Sequence, residues 1–77
     1  MDRNIADFMV HVDEELSAEQ QCRLEDFVRH DAGVVSAGFS LQAQHLLMVA
    51  YDAGETSATD ILSHIRNQGL HAEMVSL

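Results

Sequence analysis

The 77-residue sequence contains no proline, no tryptophan and a single cysteine, Cys22. Because proline is absent, no helix or strand is interrupted by a residue that lacks a backbone N–H. One cysteine cannot form a disulfide within the chain, so the fold must be stabilised by packing. Basic residues are also few, since four Lys and Arg against 13 Asp and Glu leave a net charge of −9. This charge repels phosphate groups, so we expect neither nucleic-acid nor membrane binding.

Long apolar runs are absent as well. No stretch approaches the ~18 apolar residues that span a bilayer, and the N-terminus lacks the basic start and apolar segment of a secretory signal. Hydrophobic residues still make up 47% of the chain, which is enough for one core but not for two in so short a sequence. We therefore expect a single acidic domain over residues 1–77, located in the cytoplasm.

The spacing of the apolar residues predicts four strands and two helices. Alternation with a period of two predicts strands over residues 8–12, 34–41, 46–51 and 70–75. Spacings of three and four predict one helix from Ser17 to about His30 and another from Ser57 to Gly69. The predicted inward side chains include Phe27 on the first helix, Leu41 on the second strand and Met74 on the fourth.

The element order strand-helix-strand-strand-helix-strand predicts a ferredoxin-like α+β sandwich. In this arrangement a four-stranded antiparallel-type sheet carries two helices on one face. Ser17 followed three residues later by Gln20 is typical of a capping box at a helix start. Gly33 and Gly69 suit the left-handed backbone position that ends a helix.

Several short motifs between residues 6 and 75 resemble the heavy-metal-associated domain family of copper chaperones and metal-transporting pumps. They are Gly33-Val34-x-x-Ala37, Val49-Ala50-Tyr51-Asp52 and Ile65-x-x-x-Gly69-Leu70-x-Ala72. These motifs occupy structural positions, so the resemblance implies the ferredoxin-like fold more directly than it implies an activity.

The resemblance also implies a pair of cysteines, spaced Cys-x-x-Cys, four residues before an apolar-Glu pair. In this chain the pair is Leu24-Glu25, so the family's metal positions fall on Ser17 and Gln20. Soft Cu(I) prefers sulfur ligands, whereas Ser and Gln provide only hard, neutral oxygen or nitrogen atoms. Cys22 lies on the opposite side of the helix from Leu24 and does not replace the pair. We therefore expect the family's Cu(I) transfer to be lost, with no bound cofactor.

A second hypothesis places a divalent transition metal on histidines. The end of the first strand lies beside the start of the last in the expected sheet, which puts His11 and His71 on the face that the helices leave open. Glu73 shares this face, and Asp13 lies nearby. Two imidazoles with carboxylates suit Zn(II), Ni(II) or Cu(II), although no sequence motif determines the geometry.

The open face of the sheet is the more promising feature. Its apolar residues come from adjacent strands, and a contiguous exposed apolar strip often marks a contact surface. No nucleophile–base pair, phosphate-binding loop or cofactor fingerprint is visible. We therefore expect a non-enzymatic module that binds a protein partner, most simply a second copy of itself, through Met9, Leu46, Met48, Ala50 and Val75.

Overall fold

The computed structural model describes residues 4–75, which form one four-stranded sheet and two helices. The elements are β1 (Ile5–Val12), α1 (Ala18–Arg29), β2 (Val34–Phe39), β3 (Leu46–Asp52), α2 (Ala58–Arg66) and β4 (Ala72–Val75). The sheet order is β2-β3-β1-β4, and every neighbouring pair of strands is antiparallel. The predicted ferredoxin-like α+β fold is confirmed.

The core lies between the helices and one face of the sheet. Val10 and Val12 of β1 and Leu47 and Val49 of β3 are almost completely buried. They pack in one cluster with helix residues, namely Leu24, Val28, Ile61, Leu62 and Ile65. Because side chains alternate between the two faces of a strand, burying these residues directs their neighbours to the opposite face.

Each helix begins at a serine that caps it. Ser17 Oγ accepts a hydrogen bond from the Gln20 N–H at 3.1 Å, and Gln20 Oε1 accepts one from the Ser17 N–H at 2.8 Å. The predicted capping box is thus confirmed. Ser57 Oγ accepts from the Asp60 N–H at 3.1 Å in the same way. Such caps satisfy backbone donors that have no partner inside the helix.

The Leu24-Glu25 pair connects α1 to the sheet. Leu24 is buried in the core, while Glu25 Oε2 accepts a hydrogen bond from the Phe39 N–H at 2.7 Å. Arg29, one turn further along, donates from Nε to the Ala37 carbonyl at 3.0 Å. The Glu25 and Arg29 side chains therefore connect α1 to the edge strand β2 at two points.

Three side chains predicted to face inward are exposed instead. Leu41 lies beyond the end of β2 and is fully exposed, because the strand stops at Phe39. Phe27 is 40% exposed, since Leu24 and Val28 occupy the centre of the helix stripe and Phe27 lies to one side of it. Met74 is 44% exposed on β4, an edge strand with a neighbour on one side only. β4 also begins at Ala72, later than predicted.

Candidate functional site

The sheet has one face that the helices do not cover. Met9 lies opposite Met48 on β3 and opposite Val75 on β4, and residues directly opposite in a ladder share a face. Further along β3, Leu46 lies opposite His11 and Ala50 lies opposite Asp7. We call this surface the uncovered face and define its apolar part by Met9, Leu46, Met48, Ala50 and Val75.

A groove of about 650 Å³ crosses the uncovered face and touches all four strands. Met48, 52% exposed, is the most exposed apolar side chain in it. Of the five residues that define the apolar part of the face, Leu46 alone lies outside the groove. The groove lining is Asp7, Phe8, Met9, Ser36, Met48, Val49, Ala50, Met74 and Val75.

The charges around the groove are all of one sign in the described part of the chain. Asp7, Asp52 and Glu73 lie opposite Ala50, Ile5 and His11 in the strand register, and so belong to the uncovered face. The arginines among residues 4–75 lie on the two helices, on the other side of the sheet. Arg66, for example, donates from Nε to the Ala72 carbonyl at 2.8 Å. Within residues 4–75, the uncovered face therefore combines an apolar groove with carboxylates and carries no arginine or lysine.

His11 lies beside a histidine to which the sequence interpretation gave no role. The His11 and His45 rings have centroids 5.5 Å apart and planes inclined by 19°. His11 Nδ1 bonds to Asp13 Oδ1 at 3.0 Å, and His45 Nδ1 bonds to the Val12 carbonyl at 2.7 Å. One signal could have indicated this contact: His45 precedes Leu46, the residue opposite His11 on the neighbouring strand.

His71 is held by a carboxylate of its own. Glu14 Oε2 lies 2.8 Å from His71 Nδ1, and both oxygens of Glu14 accept from the His71 backbone N–H at 3.0 and 3.1 Å. The bond to Glu14 raises the pKa of His71, and the bond to His71 lowers the pKa of Glu14. This contact connects the loop before α1 to the segment that leads into β4.

Three of the four candidate ligands of the divalent-metal hypothesis are thus divided between two contacts, and Glu73 belongs to neither. His11 bonds to Asp13 and His71 bonds to Glu14, while Glu73 lies opposite His11 across the β1–β4 ladder. The backbone joins the two contacts, because the Asp13 N–H donates to the His71 carbonyl at 2.8 Å. Within residues 4–75, no group of three or more His, Cys, Asp or Glu side chains is arranged to hold a metal ion.

The loop before α1 offers no soft ligand pair. Ser17 Oγ and Gln20 Oε1 are hard oxygen atoms, and each is already engaged in the capping box. The Cys22 thiol is exposed further along the helix. A donor set of this kind does not match the linear, sulfur-rich coordination that Cu(I) prefers.

None of the helices within the described range is long and apolar enough to cross a membrane. No protein-family model matches the sequence. No curated protein sequence is significantly similar to it.

Solved structures do match the fold. The chain superposes on a copper-binding domain of HMA7, a P-type ATPase, with a TM-score of 0.80 and 24% identity, covering 91% of this chain and 93% of that one. The apo copper chaperone of Enterococcus hirae gives 0.77 and 24%, covering 88% and 98%. Oxidised MerP from Ralstonia metallidurans gives 0.81 and 11%, covering 94% and 99%. At these identities the likeness establishes the fold alone, which this chain shares with these three structures over nearly its whole length.

Proposed function

We propose that this chain is a non-enzymatic interaction module that binds a protein partner through the uncovered face. The observation that carries the proposal is the groove, which is continuous across all four strands and contains the exposed Met48 side chain. Exposed apolar surfaces of this kind are typical of contact sites, and methionine adapts its shape to different partners.

The charge of the uncovered face indicates which charge a complementary partner surface should carry. Asp7 lines the groove, and Asp52 and Glu73 belong to the same face. A partner with apolar residues at the centre of its contact and Lys or Arg around them complements this surface. Pairing two copies of this chain would instead bring like carboxylates together, which costs free energy at an interface. We therefore favour a basic protein partner over a homodimer.

The size of the groove favours a transient complex. Removing apolar surface from water yields about 25 cal/mol per Å². This gain must offset the loss of translational and rotational freedom when two molecules associate, which costs roughly 4–15 kcal/mol. The apolar surface of so small a groove does not by itself exceed this cost, so the charged residues on the same face must supply steering and part of the specificity.

The fold shared with copper-binding domains raises the alternative of copper carriage. Ser17 and Gln20 occupy the helix start where the sequence resemblance places the family's cysteines, and their oxygen atoms are engaged in the capping box. We infer that this loop has kept the helix-capping function of the segment without a Cu(I) ligand pair. The role of the chain is then binding to a protein rather than metal transfer at this loop.

The experiment compares two variants that add the same charge at different places. Met48→Glu places a carboxylate in the groove, whereas Leu41→Glu places one at a fully exposed loop position outside it. Both proteins should fold, as circular dichroism would show. Photo-crosslinking from a benzophenone side chain at position 9 should capture a basic protein with the wild-type and Leu41→Glu chains, and not with Met48→Glu.

The homodimer is a second outcome of the same test. Crosslinking to another copy, with sedimentation at high concentration showing a dimer that Met48→Glu abolishes, would mean that the face is used for self-association. Equal capture by all three proteins, or no capture by the wild type, would contradict the proposal.

A further inference from the structure

Two imidazole rings lie together at one end of the uncovered face. His11, near the end of β1, and His45, in the turn before β3, have ring centroids 5.5 Å apart. Among residues 4–75, these are the two imidazole rings that contact each other. The side chain of His11 is 46% exposed, so its ring is accessible to an ion from solvent.

The hydrogen bonds of this pair determine which nitrogen atoms are free. The Val12 carbonyl can only accept, so His45 Nδ1, 2.7 Å away, must carry the proton and donate it. An ionised Asp13 carboxylate likewise only accepts, so His11 Nδ1, 3.0 Å away, is also the donor. In each neutral ring the lone pair is then on Nε2. Metal-binding histidines are oriented in this same way, with the second nitrogen donating to a carboxylate or a backbone carbonyl.

We propose that His11 and His45 together bind one divalent transition-metal ion through their Nε2 atoms. In this arrangement Asp13 and the Val12 carbonyl orient the rings without touching the ion. At metal–nitrogen distances of ~2.0–2.1 Å, a near-tetrahedral angle at the ion separates the two ring centroids by roughly 5 Å. The separation of 5.5 Å is close to this value, and the planes are inclined by 19°. Because an imidazole lone pair lies in the plane of its ring, the rings must turn about their Cβ–Cγ bonds when both Nε2 atoms bind the ion.

The ligand type selects the ion. Imidazole nitrogen suits Zn(II), Ni(II) and Cu(II), and Cu(II) binds most tightly in the order of divalent first-row metals. With two protein ligands, water fills the remaining positions, so binding is weaker than at a closed three- or four-ligand site. The carboxylates of Asp13 and Glu73 beside His11 favour a cation electrostatically. This site is separate from Ser17 and Gln20, and it replaces His71 with His45 as the partner of His11.

The test titrates the 77-residue apo protein with Zn(II) while the ¹⁵N resonances of the imidazole rings are recorded. Bound zinc should shift the Nε2 resonances of His11 and His45 and leave both Nδ1 atoms protonated. His11→Ala and His45→Ala should each weaken zinc binding at least tenfold. Asp13→Ala should weaken it by ~10-fold, the lower end of the loss typical when the group that orients a metal-bound histidine is removed.

Two further variants make the result decisive. His71→Ala is the matched control, because it removes an exposed histidine whose ring bonds to Glu14, and zinc affinity should not change. His45→Asn keeps a side-chain donor toward the Val12 carbonyl but lacks an imidazole, so it should lose binding even if His45→Ala disturbs the fold. Absence of zinc binding in the wild type, or a loss in His71→Ala equal to that in His11→Ala, would overturn the proposal.

Discussion

Ser17 and Gln20 hydrogen-bond to each other in both directions at the first turn of α1, at 3.1 and 2.8 Å. The two residues therefore lie close together at a helix N-terminus, and the side-chain oxygen of each accepts a hydrogen bond from the backbone N–H of the other. Two thiolates at the same positions would also be neighbours, and the positive end of the helix dipole would lower their pKa.

We expect that Ser17→Cys with Gln20→Cys creates a Cu(I) site that the natural chain lacks. Sulfur ligands at this spacing match the soft ion, whereas the natural oxygen atoms do not. Competition with a chromogenic Cu(I) chelator measures the effect, in a Cys22→Ser background that removes the exposed thiol. Submicromolar copper retention by the natural chain, lost in Cys22→Ser alone, would show instead that the lone cysteine binds copper.

The contact between Glu14 and His71 should make the free energy of unfolding depend on pH. His71 has a raised pKa, so its contribution is full below its ordinary value of 6.5 and is lost as pH rises through the higher folded value. Glu14 has a lowered pKa, so its contribution is present above 4.5 and is lost as pH falls through the lower folded value. The contact between Glu14 and His71 should therefore add most to the free energy of unfolding between pH 4.5 and 6.5.

An NMR titration of the His71 ring tests this expectation. Glu14→Gln should return the pKa of His71 toward its ordinary value, because the carboxylate is the first cause of the shift. His64→Ala serves as the control, since it leaves the contact between Glu14 and His71 intact. An unchanged His71 titration in Glu14→Gln would contradict the assignment.

Leu47 and Met48 are adjacent on β3, yet truncating them to alanine should change the free energy of unfolding by very different amounts. Leu47 is completely buried, so Leu47→Ala leaves a cavity and should lower the free energy of unfolding by about 2–5 kcal/mol. Met48 is 52% exposed, so Met48→Ala should change it by no more than about 0.5 kcal/mol. Urea denaturation of both variants measures the difference. Similar losses would mean that the strand register is shifted by one residue.

Gly33 and Gly69 both have φ of +86°, so alanine is strained at either position. They differ in what a Cβ would meet. At Gly33 it would lie 2.8 Å from Thr56 Cγ2, whereas at Gly69 it would meet nothing within 4 Å. Gly33→Ala should therefore lower the melting temperature more than Gly69→Ala, and the difference reports the clash rather than the backbone strain. Equal losses in thermal melts would contradict this contact.

Local features of the fold could be predicted because they depend on neighbours in sequence. The capping box needs two residues three apart, and the glycine positions follow from backbone sterics. The alternation of apolar residues likewise predicted which of Leu47 and Met48 is buried. Leu41 was assigned to the wrong environment because periodicity does not show where a strand ends, and in this chain β2 ends at Phe39.

The sequence by itself determined the order of helices and strands, the helix starts, and the excess of negative charge. Those properties follow from composition and from spacings of two to four residues. Only the tertiary structure decided which histidine lies beside His11, because His45 is 34 positions away in the chain. The position of the His45 ring depends on a turn that brings it to the Val12 carbonyl. The tertiary structure likewise decided that carboxylates of three different strands share the face that contains the groove, since strand pairing places them there.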